Sequence, residues 1–183
     1  QASLTYGGYT SLVYATGILG GMIADRYLGY QRSIILGGLL MAVGCFMLLS
    51  PEIHLFLIGL AVIVAGNGLF KPNISTMVGK LYSPTDERRD SGFTLFYMGI
   101  NLGAMLAPIL TGFLAERMLG GSSDSPAYKV VFIASGVGML VSLVWFWFGR
   151  AQLKGVGRPP EGADGSGRVL MTAIGALVAI PVI

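Results

Sequence analysis

Lys71 stands where a cation is costly, in Ala65-Gly66-Asn67-Gly68-Leu69-Phe70-Lys71-Pro72-Asn73, inside an apolar stretch that runs roughly from Leu55 to Gly79. A lysine near the centre of a bilayer costs on the order of 2.5–3.5 kcal/mol, so it belongs against a protein interior or a water-filled cavity, with a partner for its charge. The plainer reading is a stem that snorkels to the interface. Lys71 precedes Lys80 by nine residues, which is about 13 Å of helix rise and exceeds the reach of one side chain. The other eleven cations lie in loops or at helix ends, so the exception marks a functional group.

Two further polar residues share its depth. Asn101, in Gly99-Ile100-Asn101-Leu102-Gly103, follows Asp90 by eleven residues, and Tyr14 precedes Asp25 by eleven. Each is about 16 Å from a charged loop, near the middle of a core about 30 Å thick. A cation, an amide and a phenol from three helices can form one polar layer that holds a zwitterionic, hydrogen-bonding solute. Two structural alternatives remain open. Asn101 between Gly99 and Gly103 suits an interhelical hydrogen bond at a close helix contact, and Tyr14 suits ordinary aromatic packing.

Other chemistries fail on inspection. Gly66-x-Gly68-x-x-Lys71 superficially resembles a phosphate loop, but Pro72 replaces the hydroxyl residue and no strand precedes it. His54, the single histidine, sits beside Pro51-Glu52 without a cluster of further ligands, so neither a metal site nor a catalytic pair is expected. Cys45 is the only cysteine and lies in Gly44-Cys45-Phe46-Met47-Leu48, which suits packing rather than a disulfide.

These groups need an apolar scaffold, and the composition supplies one. The 183 residues are 54% hydrophobic and 11% charged, with a mean hydropathy of +0.72, where a soluble domain carries roughly 25% charged residues. The 28 glycines, spread through apolar runs, fit close helix packing in lipid. Five segments are expected to cross a bilayer, roughly Gly8 to Ala24, Ser33 to Leu49, Leu55 to Gly79, Ser91 to Met118 and Tyr128 to Phe148. Gly17-x-x-x-Gly21 and the run from Gly37-Gly38 to Gly44 are expected packing surfaces, and Pro72 and Pro108 are expected to interrupt long helices.

The connections alternate in chemistry. Arg26, Arg32, Lys80, Arg88, Arg89, Arg150, Lys154, Arg158 and Arg168 lie on one side, and only Arg117 and Lys129 flank the other. The first side is therefore cytoplasmic. The net charge of +3 comes from these loops rather than from a basic face, so nucleic acid is not an expected partner. Residues 1–150 form the membrane helices, and 151–168 a Gly/Pro-rich cytoplasmic linker without apolar periodicity, read as flexible. Residues 169–183 start a further, truncated helix. The chain opens on Gln1 and stops at Pro181-Val182-Ile183 inside an apolar run, as expected of a fragment with more helices on either side, one missing helix before it being the simplest case.

Gly21-Met22-Ile23-Ala24-Asp25-Arg26-Tyr27-Leu28-Gly29-Tyr30-Gln31-Arg32 resembles the loop motif between the second and third helices of major facilitator transporters, in the longer spacing of oligopeptide transporters. Phe93-Thr94-Leu95-Phe96-Tyr97-Met98-Gly99-Ile100-Asn101-Leu102-Gly103-Ala104 is similar to a signature of the proton-dependent oligopeptide transporter (POT) family, and Gly66 to Gly79 resembles its fourth helix. The resemblance spans most of Tyr9 to Arg150. It implies an all-α membrane protein, the N-terminal six-helix half of a major facilitator bundle without its first helix, in the cytoplasmic (inner) membrane.

By the same resemblance, Lys71 corresponds to the lysine that binds the peptide carboxylate and takes part in proton coupling. Asn101 corresponds to an asparagine on the peptide backbone, and Tyr14 to a binding tyrosine. Asp25, Arg26 and Arg32, with Arg88, Arg89 and Asp90, would form a cytoplasmic gate; orientation by positive charge explains Arg32, Arg88 and Arg89 equally. The implied activity is import of di- and tripeptides with protons, by alternating access between two half-bundles, with no cofactor besides the coupling proton and with membrane lipid as surroundings. The family's Glu-x-x-Glu-Arg motif, tied to coupling, would sit on the preceding helix. The competing readings are transport of another solute, such as nitrate or a peptide-like drug, an integral-membrane enzyme, and a non-transport membrane subunit.

Overall fold

A chain this apolar satisfies its backbone within helices when no water is at hand, and every element among the described residues is helical. The computed structural model describes residues 2–118, 128–153, 155–159 and 175. The expected loop at 119–127, most of 160–183 and Lys154 lie outside them. Five α-helices run in order: α1 Ala2–Ile23, α2 Tyr30–Met47, α3 Ile53–Lys80, α4 Arg88–Phe113 and α5 Tyr128–Gly149. One π-helical turn, Ala24–Leu28, ends α1, another, Leu114–Met118, follows α4, and a 3-10 turn, Arg150–Leu153, follows α5.

Tyr30–Met47, Ile53–Lys80, Arg88–Glu116 and Lys129–Leu153 are long and apolar enough to cross a membrane. The sequence led us to expect a fifth span on α1, whose 22 residues suffice in length at about 33 Å. Gly7, Gly8, Thr10, Ser11, Tyr14, Thr16 and Gly17 dilute its apolar content.

α3 is the centre of the bundle, packing on α2 and α1, while α5 packs on the far side of α2. Small residues set these distances. A Cβ on Gly37 would come 2.6 Å from the Gly66 carbonyl oxygen, and one on Gly44 2.8 Å from that of Gly59, so the Gly37-to-Gly44 run is a packing surface against α3. Among the described residues Gly17 and Gly21 have nothing within 4 Å; the close contact on α1 falls on Gly20, where a Cβ would collide with the Gly68 carbonyl. The expected small-residue stripe is on the right helix but one position off.

α3 and α4 run through Pro72 and Pro108 as continuous helices, correcting the expected interruption. Pro72 has no N–H for the Gly68 carbonyl four residues back, and that carbonyl abuts Gly20, so the freed group faces protein rather than lipid.

Two buried polar side chains tie α1 to α3. Asn73 Nδ2 donates to the Gly20 carbonyl at 3.2 Å and to that of Leu69 at 2.7 Å. Thr16 Oγ1 donates to the carbonyl of Leu12 at 2.8 Å and lies 3.3 Å from that of Val64. Interhelical hydrogen bonds in membrane proteins average about 0.6 kcal/mol and reach about 1.7. Asn73→Ala is therefore expected to lower the melting temperature of the full-length protein in detergent by a loss of that order; an unchanged melting temperature would show the bond to be idle.

α4 contributes no buried residue and touches its neighbours chiefly near its first turns, where the Phe93 ring lies beside Gly79 and the Tyr82 ring beside Gly92. At the end of α5, Trp145, Trp147 and Phe148 are exposed, and the Arg150 guanidinium lies 3.3 Å from the centre of the Trp147 ring. Such an aromatic and basic cluster suits the membrane–water boundary.

Candidate functional site

Lys71 projects from the middle of α3 and Tyr14 from α1, and the Asn73 and Thr16 bonds that fasten these helices also bring the two side chains together. Lys71 Nζ lies 5.6 Å from the centre of the Tyr14 ring, within the distance at which an ammonium is attracted to a π face. Lys71 is exposed and Tyr14 is 69% exposed, so the pair occupies an open face of the described bundle. Among the described residues no carboxylate pairs with Lys71. A phenol ring offsets a cation by only about 0.5–1 kcal/mol at an exposed site, which leaves the ammonium available to an anion.

Asn101 also stands exposed, on α4, but it touches neither Lys71 nor Tyr14 among the described contacts. A Cβ at Gly99 or Gly103 would meet nothing within 4 Å among the described residues, so none of the described helices approaches Asn101 along that face. The described bundle thus joins two members of the expected polar layer and leaves the third apart, with its amide free of intrahelical work.

At the charged end, Tyr30 donates from its hydroxyl to Asp25 Oδ1 at 2.5 Å, and Lys80 Nζ lies 4.4 Å from the centre of the Tyr30 ring. Arg88 pairs within its own loop, at 2.9 Å from Asp86 Oδ2. This hydrogen-bonded guanidinium holds the Asp86 carboxyl below the usual carboxylate range. Arg89 Nε is buried without a hydrogen-bond partner among the described residues; its guanidinium lies 5.9 Å from the Phe93 ring centre. It borders a cavity of about 770 Å³ that Lys80, Tyr82, Val156 and Gly157 also line. Arg26, Arg32 and Asp90 are exposed. Among the described residues no ion pair joins Asp25, Arg26 or Arg32 to Arg88, Arg89 or Asp90.

Sequence reasoning passed over Asn73, Thr16, Gly20 and Tyr30. Asn73 carried a usable signal, an amide directly after Pro72 in an apolar helix. For Tyr30, nothing in its spacing distinguishes a ring that joins Asp25 and Lys80 from one that faces lipid.

The described residues thus form a helical bundle that presents a cation without an ion-pair partner among them, and a phenol, on one open face. The family model described as the POT family matches residues 31–181, and the chain belongs to that family. It is 36% identical over 185 residues to "Dipeptide and tripeptide permease B" of Edwardsiella piscicida, covering 98% of this chain and 36% of that protein. It is 39% identical over 163 residues to a "Di-/tripeptide transporter" of Lactococcus lactis subsp. lactis (strain IL1403), covering 88% of this chain and 31% of the relative. A solved bacterial homologue of the human drug peptide transporters superimposes with a TM-score of 0.83 at 29% identity, covering 99% of this chain and 41% of that one. The chain thus spans about a third of the length of the curated relatives it matches. It is a multi-pass membrane protein of the major facilitator type.

Proposed function

We propose that the full-length protein imports di- and tripeptides together with protons across the cytoplasmic membrane by alternating access, and that it is a carrier rather than an enzyme. The observation that carries this reading is Lys71. It is an ammonium on an apolar helix, without a carboxylate partner among the described residues, beside the Tyr14 phenol, in a chain of the POT family. A peptide's C-terminal carboxylate supplies the missing anion, and one charged hydrogen bond of that kind contributes roughly 1.5–3 kcal/mol. Asn101 supplies an amide that can both donate and accept, which suits a peptide bond once α4 closes toward α1 and α3. Proton coupling follows if Lys71 alternates between the peptide and a carboxylate elsewhere in the full-length protein. The relatives named for dipeptides and tripeptides favour this solute over nitrate.

Uptake of a labelled dipeptide by vesicles carrying the full-length protein tests the substrate class. Excess unlabelled di- or tripeptide is expected to compete, whereas single amino acids and nitrate are not; competition by nitrate alone would replace this reading with the other-solute one. Tyr14 adds a graded test. Tyr14→Phe keeps a ring over the ammonium and Tyr14→Leu removes it, so the leucine variant is expected to raise KM by about 2- to 5-fold more than the phenylalanine variant. Equal KM values for the two would remove the ring from the site.

A further inference from the structure

The stretch after α5, rich in glycine and proline, is not loose where it is described. Arg150–Leu153 continues α5 as a 3-10 turn, and two tight turns follow, closed by Val156 N–H donating to the Leu153 carbonyl at 2.9 Å and Arg158 N–H to that of Gly155 at 3.3 Å. Gly155 and Gly157 have φ of 87° and 81°, left-handed values that glycine adopts without steric cost. The stretch then docks on the turn between α1 and α2. Gln31 donates from its backbone N–H to the Gly157 carbonyl at 3.0 Å and from Nε2 to that of Val156 at 2.6 Å.

The receiving surface is shaped for it. Gly29, at φ 72°, leaves space that a Cβ would fill, 2.5 Å from Pro159 N and 2.6 Å from Arg158 C. Val156 and Leu153 pack against Ala24, Tyr30, Ile34 and Met77, four buried residues from the ends of α1, α2 and α3. Tyr30 is the residue that holds Asp25 and underlies Lys80.

We infer that Leu153 and residues 155–159 are a permanent strap that fastens the α1–α2 turn, with Asp25 and Tyr30, to the end of α5. These cytoplasmic charges then move as one body with the end of α5. A releasing latch would expose Val156 and break both Gln31 bonds in each cycle, whereas apolar burial and a glycine-shaped seat favour a fixed joint.

Hydrogen exchange on the full-length wild type tests this without reference to the solute carried. The amides of Gln31 and Val156 are expected to exchange as slowly as those in the interior of α2; exchange at loop rates would overturn the strap. The second arm rests on the peptide-transport reading. A Cβ at Gly157 is strained by φ 81° and by Tyr30 Cβ at 3.2 Å, but it would lie 3.4 Å from Gln31 Cγ, the place a cysteine sulphur would take, so Gln31→Cys with Gly157→Cys in a cysteine-free background places the two sulphurs side by side where the docked strap absorbs that strain. The oxidised pair is expected to keep its uptake within about twofold of the reduced pair, a barrier change of about 0.4 kcal/mol. Loss of uptake on oxidation, restored by reductant, would make the segment a releasing latch.

Discussion

Lys71→Ala in the full-length protein is expected to cut proton-driven dipeptide uptake by about 10- to 100-fold, the rate equivalent of losing one charged hydrogen bond of roughly 1.5–3 kcal/mol. The same substitution is expected to leave the melting temperature nearly unchanged. Lys71 is exposed on the described bundle and forms no ion pair among the described residues, so within that bundle its removal leaves neither a cavity nor an orphaned charge. Separating the two readouts matters, because a lysine that merely anchored the helix would move stability and activity together. Uptake that survives Lys71→Ala would remove the proposed carboxylate contact and the coupling that depends on it.

Gly20→Ala is expected to have the second large effect, this time on folding. Its methyl group would collide with the Gly68 carbonyl, which is backbone and cannot rotate away. α1 must then back off α3, stretching the Asn73 bond to Gly20 and the Thr16 contact with Val64. Overpacking of this kind costs about 1–3 kcal/mol. Gly17→Ala and Gly21→Ala are the controls: with nothing within 4 Å of either position among the described residues, both are expected to be neutral, or stabilising by up to about 1 kcal/mol through helix propensity. Thermal unfolding of the three variants in detergent ranks them; equal melting temperatures would mean that α1 and α3 do not pack as described.

Helix existence and order were legible because apolar length and charged loops are coarse signals that survive any detail of packing. The ends shift only slightly: Ser33 to Leu49 becomes Tyr30–Met47 and Leu55 to Gly79 becomes Ile53–Lys80. The depth argument that paired Tyr14 with Lys71 rests on helix rise alone, and the two side chains meet. Rotation about a helix axis was not legible. An interface of weak moment gives no sign whether Gly17, Gly20 or Gly21 faces the neighbour, and the answer comes from where Thr16 and Asn73 find their carbonyls. The same blindness applies to Asn101, whose depth says nothing about how far α4 stands from α1 and α3. In the stretch expected to be a flexible linker, the described residues 155–159 are docked, because glycines that supply left-handed turns to a docked segment have the same composition as glycines in a free linker.

Uptake of a labelled dipeptide into proteoliposomes carrying the full-length wild-type protein, with an inward proton gradient imposed or collapsed, decides whether the protein is a proton-driven peptide carrier. Accumulation above the external concentration is expected when the gradient is present, and only slow equilibration when a protonophore abolishes it. Dipeptide uptake at the same rate with and without the gradient, or no dipeptide uptake by a folded protein, would contradict that role.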